Sequence, residues 1–207
     1  MSYPFGDIVF TSAVKALQER NGSRAQYARR QSRSETQLAL GEQEAQLLEQ
    51  ADSFYLATVS ETGWPYVQHR GGPRGFLRVL SPARIGFADF RGNMQYVSAG
   101  NASQNDRASI IVMDYPRRRR LKVLGHLKFV DLADADPALV QRLALRGYRA
   151  KIERVAIIDV AAFDWNCPQH ITPRLTLEEV DQAVRPLYER IAELEALRAD
   201  GFRVKAV

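Results

Sequence analysis

Apolar and polar residues change rhythm twice along this chain, which divides it into a helical head, a strand-rich middle and a helical tail. Ala13, Val14, Leu17 and, beyond an Asn21-Gly22 break, Tyr27 fall on a weak helical stripe. Glu35 to Ala51 repeats the pattern, with Leu38, Leu40, Leu47 and Leu48 set among Glu and Gln. Such spacing predicts two amphipathic helices that wrap a core. The period then shortens. Phe54–Val59 is rich in β-formers and apolar on both faces, Ser60-Glu61-Thr62-Gly63 reads as a hairpin turn, and Trp64–Arg70 returns. Phe76–Leu80, Arg84–Phe90, Ser109–Tyr115, Leu121–Asp131 and Ile152–Val160 follow as further strands. Short strands joined by turns predict a closed or nearly closed barrel.

Three helical signals interrupt or follow the strands. One helix is predicted over about Gln95–Gln104. A second starts at Asp136-Pro137, with Asp as cap and Pro in the first helical position, and ends at Gly147. The last begins at the capping box Thr176-Leu177-Glu178-Glu179. Its apolar residues Leu177, Val180, Val184, Leu187, Ile191 and Leu194 alternate steps of three and four, a seam that Pro186 interrupts. A kinked packing helix is expected. The whole reads as one domain over residues 1–207: an N-terminal helical segment at 10–51, a barrel over about 50–172 and a C-terminal helix at 176–199.

Composition narrows the classes. At 207 residues, 45% hydrophobic and 26% charged, the chain can bury a sizeable core. No run of about 18 apolar residues predicts a membrane span, and the first residues carry no charged and apolar leader pattern. Cys167 is the sole cysteine, which fits a reducing cytoplasm. The net charge of +5 is clustered at Arg20, Arg24, Arg29, Arg30 and Arg33 and at Arg117–Arg120. No nucleic-acid-binding motif accompanies these runs, so they read as solvated faces and neither nucleic acid nor membrane is expected as a partner. His69, His126, His170 and Cys167 share no metal-ligand spacing, and no metal site is expected.

The chemistry concentrates in two Gly-rich, Arg-bearing loops about 20 residues apart: Gln68-His69-Arg70-Gly71-Gly72-Pro73-Arg74-Gly75-Phe76, and Asp89-Phe90-Arg91-Gly92-Asn93 leading to Ser98-Ala99-Gly100-Asn101. Glycine lets a ligand approach the backbone, and arginine offers a planar fork that suits phosphate. Neither a P-loop nor a dinucleotide-binding glycine motif is present. Gln68 and Arg70 share a strand face, and His69 points away from them or lies at the bend. Asn93, Gln95, Ser98 and the amides that open the helix near Gln95 complete a candidate phosphate cradle. The plainer alternatives are a surface hairpin with an exposed Arg70 and an Asx-type turn at Gly92-Asn93.

These segments, with Asn105-Asp106-Arg107, Arg120-Leu121-Lys122-Val123-Leu124-Gly125 and Trp165-Asn166-Cys167-Pro168-Gln169-His170, resemble the pyridoxamine 5′-phosphate oxidase-related, FMN-binding split-barrel family over about residues 50–172. The similarity is closest to its branch of flavin-nucleotide-binding proteins of unassigned substrate. The resemblance implies a mainly β fold with flanking helices, a six-stranded split β-barrel, and a homodimer with FMN at the subunit interface. Cofactor contacts are expected from Gln68, His69, Arg70, Gly72, Pro73, Phe76, Asp89, Asn93, Gln95, Ser98, Asn101, Arg120 and Lys122. Trp165, Gln169 and His170 are expected to cap the flavin of the partner chain. Arg120 and Lys122, two apart on one strand, are expected on the flavin side, with Arg117 to Arg119 solvated.

The resemblance implies an FMN-dependent oxidoreductase with a small-molecule substrate and NADH or NADPH as candidate electron donor. It does not imply vitamin B6 oxidation: the C-terminal Arg-x-His signature is lacking, and Arg120-Leu121-Lys122 stands where the oxidase has Arg-Gln-Val. No side chain is assigned as catalytic acid or base. The alternatives are a non-catalytic flavin-binding or flavin-sensing module, or a split barrel for haem or a deazaflavin.

Overall fold

Seven strands pair edge to edge in the computed structural model, which describes residues 5–33, 39–165 and 168–204. They are β1 (Ser53–Val59), β2 (Pro65–Gly71), β3 (Leu77–Ser81), β4 (Arg84–Phe90), β5 (Arg107–Asp114), β6 (Arg119–Asp131) and β7 (Ile152–Trp165). The order across the sheet is β2-β1-β5-β6-β7-β4-β3, with every neighbouring pair antiparallel. The count corrects the six strands implied by resemblance and agrees with the seven segments of the hydrophobic pattern. The ladder starts at β2 and stops at β3, so hydrogen bonding leaves the barrel open.

Period-two alternation explains the inside of this sheet. In β5 buried residues alternate strictly with more exposed ones, which sends Ala108, Ile110 and Val112 inward. Phe54 and Leu56 of β1, Leu121, Val123 and Leu127 of β6, and Ile158 and Val160 of β7 meet them. Phe54 stacks on Phe76 and meets Phe87 edge-on. β4 is buried on both faces because a second cluster, Ala88, Leu143 and Val155, backs it from outside.

Helices cover and punctuate the sheet: α1 (Phe5–Val9), α2 (Ser12–Arg20), α3 (Arg24–Arg33), α4 (Glu42–Gln50), α5 (Val97–Gln104), α6 (Pro137–Leu143) and α7 (Leu177–Val204). The head therefore holds more and shorter helices than the two expected, since the chain turns at Asn21-Gly22, where Gly22 has φ +73°. α4 starts at Glu42 because the Glu44 carboxylate accepts from the Gly41 amide; Leu38 lies outside the described residues. Its Leu47 and Leu48 join the core. α6 stops at Leu143, short of Gly147, because Ala144 already has extended backbone. β7 runs on to Trp165, beyond the expected Val160, since nothing in Ala161-Ala162-Phe163 breaks a strand.

The capping box at Thr176 forms: its backbone N–H and its hydroxyl both donate to Glu179 and hold that carboxyl below the ordinary range. The α7 seam is uncovered within the chain, with Leu177 87%, Leu187 63% and Ile191 50% exposed.

The long β6–β7 ribbon bends where its register shifts at Leu124/Gly125. Ala161 is the extra residue on β7 there, since Leu124 pairs with Ala162 and Gly125 with Val160. Gly125 admits the close approach: a Cβ on it would lie 2.5 Å from the Asp159 carbonyl oxygen and 2.6 Å from Ile158 Cγ2. Gly125→Ala is expected to lower stability by about 1–3 kcal/mol, read from the midpoint of urea unfolding.

Candidate cofactor site

Alternation along β2 places Gln68 and Arg70 on one face. Near the end of β4, after the run Ile85–Ala88, stands the acid Asp89, and near the start of β7 Arg154 lies directly across from it in register. β2 and β4 are not ladder neighbours, yet the curl of the sheet brings Arg70 to Asp89. Arg70 Nη1 donates to Asp89 Oδ1 at 2.6 Å. Arg154 donates to the other oxygen, Oδ2, from Nε at 3.0 Å and from Nη2 at 2.6 Å. Asp89 is 2% exposed, so one carboxylate is buried between two guanidiniums from two different strands.

The loop after β4 adds a second wall. Met94 (φ 58°) and Tyr96 (φ 54°) both sit in the left-handed region, which costs a non-glycine residue on the order of 1 kcal/mol or more. Tyr96 presents its ring to Arg154 at 4.7 Å and donates from its hydroxyl to Glu153 at 3.4 Å. Glu153 also pairs with Arg91 at 3.3 Å. Tyr96 is the residue before α5, and it gives that helix no side-chain cap. The first turn of α5 carries no acidic residue, so its opening amides lack an anionic side-chain partner.

A cleft of about 150 Å³ lies where these pieces meet, lined by Gln68, Arg70, Asp89, Phe90, Gly92, Asn93, Met94, Tyr96, Val97, Ser98, Glu153 and Arg154. Two of the polar groups lining it are buried with no hydrogen-bond partner among the described residues: Arg70 Nε and Ser98 Oγ. Buried polar atoms normally find partners, and leaving one unmade costs about 1–3 kcal/mol. A donor on a guanidinium, a serine hydroxyl and a helix start, all at one cleft, suit an anionic group such as a phosphate.

The cleft unites Gln68, Arg70, Asp89, Asn93 and Ser98 of the residues expected from sequence. Gln68 Oε1 accepts from the Tyr66 hydroxyl at 2.5 Å. Asn93 also makes the plain Asx turn, its side-chain oxygen accepting from the Gln95 amide at 3.1 Å. The remaining expected residues stand elsewhere. Gln95 is exposed on the loop and does not line the cleft. His69 packs edge-on to Tyr55, away from Gln68 and Arg70. Gly72 makes room for Phe76, whose Cβ would be 2.9 Å from a Cβ at Gly72, and Phe76 is a core residue. The Pro73 carbonyl closes a turn by accepting from the Phe76 amide. Asn101 ties α5 to β1 through a buried hydrogen bond to Thr58 Oγ1 at 3.0 Å.

Arg120 and Lys122 lie on β6 outside the cleft lining, and Lys122 pairs with Asp164 at 3.1 Å. The Trp165 indole N–H donates to the buried Glu44 of its own chain at 2.6 Å. Gln169 and His170 are exposed, and Asn166 and Cys167 lie outside the described residues. Sequence reasoning missed Met94, Tyr96, Val97, Glu153 and Arg154, and marked Phe90 and Gly92 only as members of their loop. Among the described residues no group of three His, Cys, Asp or Glu side chains is placed to hold a metal ion, and no helix is long and apolar enough to cross a membrane.

The family model described as pyridoxamine 5′-phosphate oxidase matches residues 40–166, from just ahead of α4 to the end of β7. The chain belongs to that family. Among solved structures, HupZ of Group A Streptococcus is 16% identical with a TM-score of 0.46, over 66% of this chain and 99% of that one. An FMN-binding protein from Syntrophomonas wolfei is 15% identical with a TM-score of 0.43, over 72% and 97%. An F420 reductase is 23% identical with a TM-score of 0.41, over 60% and 98%. No curated protein matches the chain.

The chain's basic run Arg117–Arg120 stands at the β5–β6 turn, and it corrects one expectation. Arg119 is only partly exposed and is not a free surface charge: it grips Asp114 with Nε at 3.1 Å and Nη2 at 2.8 Å, while the Arg117 amide donates to the other carboxylate oxygen at 3.1 Å. Burial alone would raise the Asp114 pKa, but these hydrogen bonds outweigh it and hold the carboxyl below its ordinary value. The lowered folded pKa stabilises the protein above the unfolded value of about 3.9 and ceases to do so as pH falls through the folded value. Asp114→Asn is expected to cost about 1–3 kcal/mol at pH 7. The gap to wild type, read by urea unfolding at a series of pH values, should hold down to about pH 4 and close below it.

Proposed function

We propose that the cleft between β2, β4, β7 and the start of α5 holds the phosphate end of FMN, and that the protein is an FMN-dependent oxidoreductase. The observation that carries this reading is the pair of buried, unpartnered groups, Arg70 Nε and Ser98 Oγ, lining one cleft beside an uncapped helix start. Bound flavin supplies hydride or electron transfer, and the protein binds, orients and tunes it. Arg70 and Arg154 favour the dianion, Gln68 offers an amide nearby, and Tyr96 and Met94 present apolar surface to the cofactor. The substrate is a small molecule other than a B6 vitamer, in keeping with the missing Arg-x-His signature. The single cysteine fits work in the reducing cytoplasm.

The working form in this reading is a homodimer. A cleft of about 150 Å³ is small beside the ~300–1,000 Å³ of ordinary cofactor sites, and a second copy would complete it. Tyr55, Trp64 and Val67 on the β1–β2 ribbon are exposed and apolar, as are Met94 and Tyr96 at the cleft itself. The interface should bury about 2,000 Å² or more. Light scattering at micromolar concentration should report a dimer; a monomer would overturn this part.

The cofactor is tested by denaturing the purified protein and identifying what it releases. FMN is expected; a deazaflavin or haem would replace the reading. Arg70→Ala should weaken FMN by about 1.5–3 kcal/mol, and wild type should hold riboflavin far less well than FMN. Catalysis is tested by reducing the bound flavin with NADH or NADPH and following its reoxidation by an added acceptor. A flavin that neither donor reduces would favour a binding or sensing module.

A further inference from the structure

We infer that Asp89 is a positioning residue that presets Arg70 and Arg154 as a two-armed anion clamp, and that Arg154 is part of the ligand site. This rests on the reading of the cleft as a phosphate site and adds to it a residue from β7 and a role for a buried acid. Asp89 uses one carboxylate oxygen for each guanidinium, at 2.6 Å to Arg70 Nη1 and at 2.6 and 3.0 Å to Arg154 Nη2 and Nε. Two cations and one anion leave the cluster with one positive charge in excess. An isolated buried charge is costly, and Arg70 Nε has no hydrogen-bond partner among the described residues. Both arginines and Ser98 line the cleft, where a ligand anion would neutralise the excess and occupy the free donor.

Strand pairing fixes the clamp on one side only. Arg154 faces Asp89 in the β4–β7 register, whereas Arg70 comes from β2, which is not hydrogen-bonded to β4. Both guanidiniums lie over the Phe129 ring, at 5.9 and 5.5 Å, but among the described residues Asp89 is the group that hydrogen-bonds both, and so it sets their separation. The Arg154 guanidinium also lies over Phe129 at 5.5 Å and over Tyr96 at 4.7 Å, so its plane is fixed from three directions.

Charge and position predict opposite signs for one substitution. As a mere negative charge, Asp89 repels an anionic ligand, and neutralising it would tighten binding. As a positioning group, its loss lets two guanidiniums repel each other and drift, and binding weakens although the site becomes more positive.

The test titrates the full-length protein with FMN and with riboflavin, following quenching of flavin fluorescence, for wild type, Asp89→Asn and Arg154→Lys. Each variant is expected to weaken FMN roughly ten- to hundredfold, the loss of one hydrogen bond to a charged group, and to leave riboflavin within about threefold. The preference for FMN over riboflavin then collapses in both. Tighter FMN binding by Asp89→Asn, or an equal loss for both flavins, overturns the inference. If Asp89→Asn does not fold, Arg154→Lys decides, because lysine keeps the charge but cannot place two nitrogens on one carboxylate oxygen; an unchanged FMN preference then overturns it. Wild type that binds FMN no better than riboflavin removes the phosphate reading itself, a result distinct from a wild-type preference that survives both substitutions.

Discussion

The open side of this barrel is closed by a carboxylate. Backbone hydrogen bonding carries the sheet from β2 round to β3 and stops there. What joins β2 to the far side is Asp89, which accepts from Arg70 of β2 and from Arg154 of β7 while buried to 2% exposure. Burying three charges is a poor way to gain stability. Desolvation offsets most of the attraction, and apolar residues of the same volume often serve as well or better. Once the cluster exists, however, removing one member leaves another charge uncompensated at a cost of about 3–5 kcal/mol. Such a device fixes geometry more than it adds stability, and the fixed geometry is a pair of guanidiniums at a cleft.

The rest of the cleft follows from how the chain crosses from β4 to β5. It leaves β4 beside Asp89, passes through left-handed backbone at Met94 and Tyr96, and enters α5. The left-handed turn leaves α5 uncapped by any side chain, and Asn101 pins the helix to Thr58 on β1. The helix start is thus held at the cleft by a contact one turn further along. Strain at Met94 and Tyr96 is tolerable because Arg154 over the Tyr96 ring, the Tyr96–Glu153 hydrogen bond and the Arg91–Glu153 pair restrain the loop from the β7 side.

Period-two patterning was enough to find every strand of this fold, because each buried face leaves a readable alternation or an apolar run. Boundaries failed where only tertiary contacts decide: β7 continues past Val160 because β6 is there to pair with it as far as Leu121. The site was half legible for the same reason. Gln68, Arg70, Asp89, Asn93 and Ser98 sit in or beside Gly-rich loops, so local composition marked them. Arg154 is 65 residues from Asp89 and lies in a strand that also carries Glu153, Asp159 and Asp164, so its charge does not stand out. Its one sequence signal was a charge opposite a charge, readable only with the β4–β7 register in hand. Local composition also misled. Gly72, Phe76 and Asn101 look like ligand-loop residues, but in the structure they pack or anchor the barrel.

The surface left bare by one chain shares a logic with the incomplete cleft. Trp64 is 76% exposed, and Val67 and Tyr55 stand near it on the β1–β2 ribbon, whose β2 strand also supplies Gln68 and Arg70. The α7 seam lies open through Leu177, Leu187 and Ile191. Scattered apolar side chains on a surface need no explanation, but Tyr55 and Val67 share one face of the ribbon whose other face carries the site. In the proposed dimer the ribbon would bury Tyr55 and Val67 against the partner on its face opposite Gln68 and Arg70, and the exposed Met94 and Tyr96 would meet the partner at the cleft. Cofactor binding and association would then be linked. Each would strengthen the other by mass action, since a ligand that binds only the assembled site stabilises the assembly by RT ln(1 + [L]/Kd).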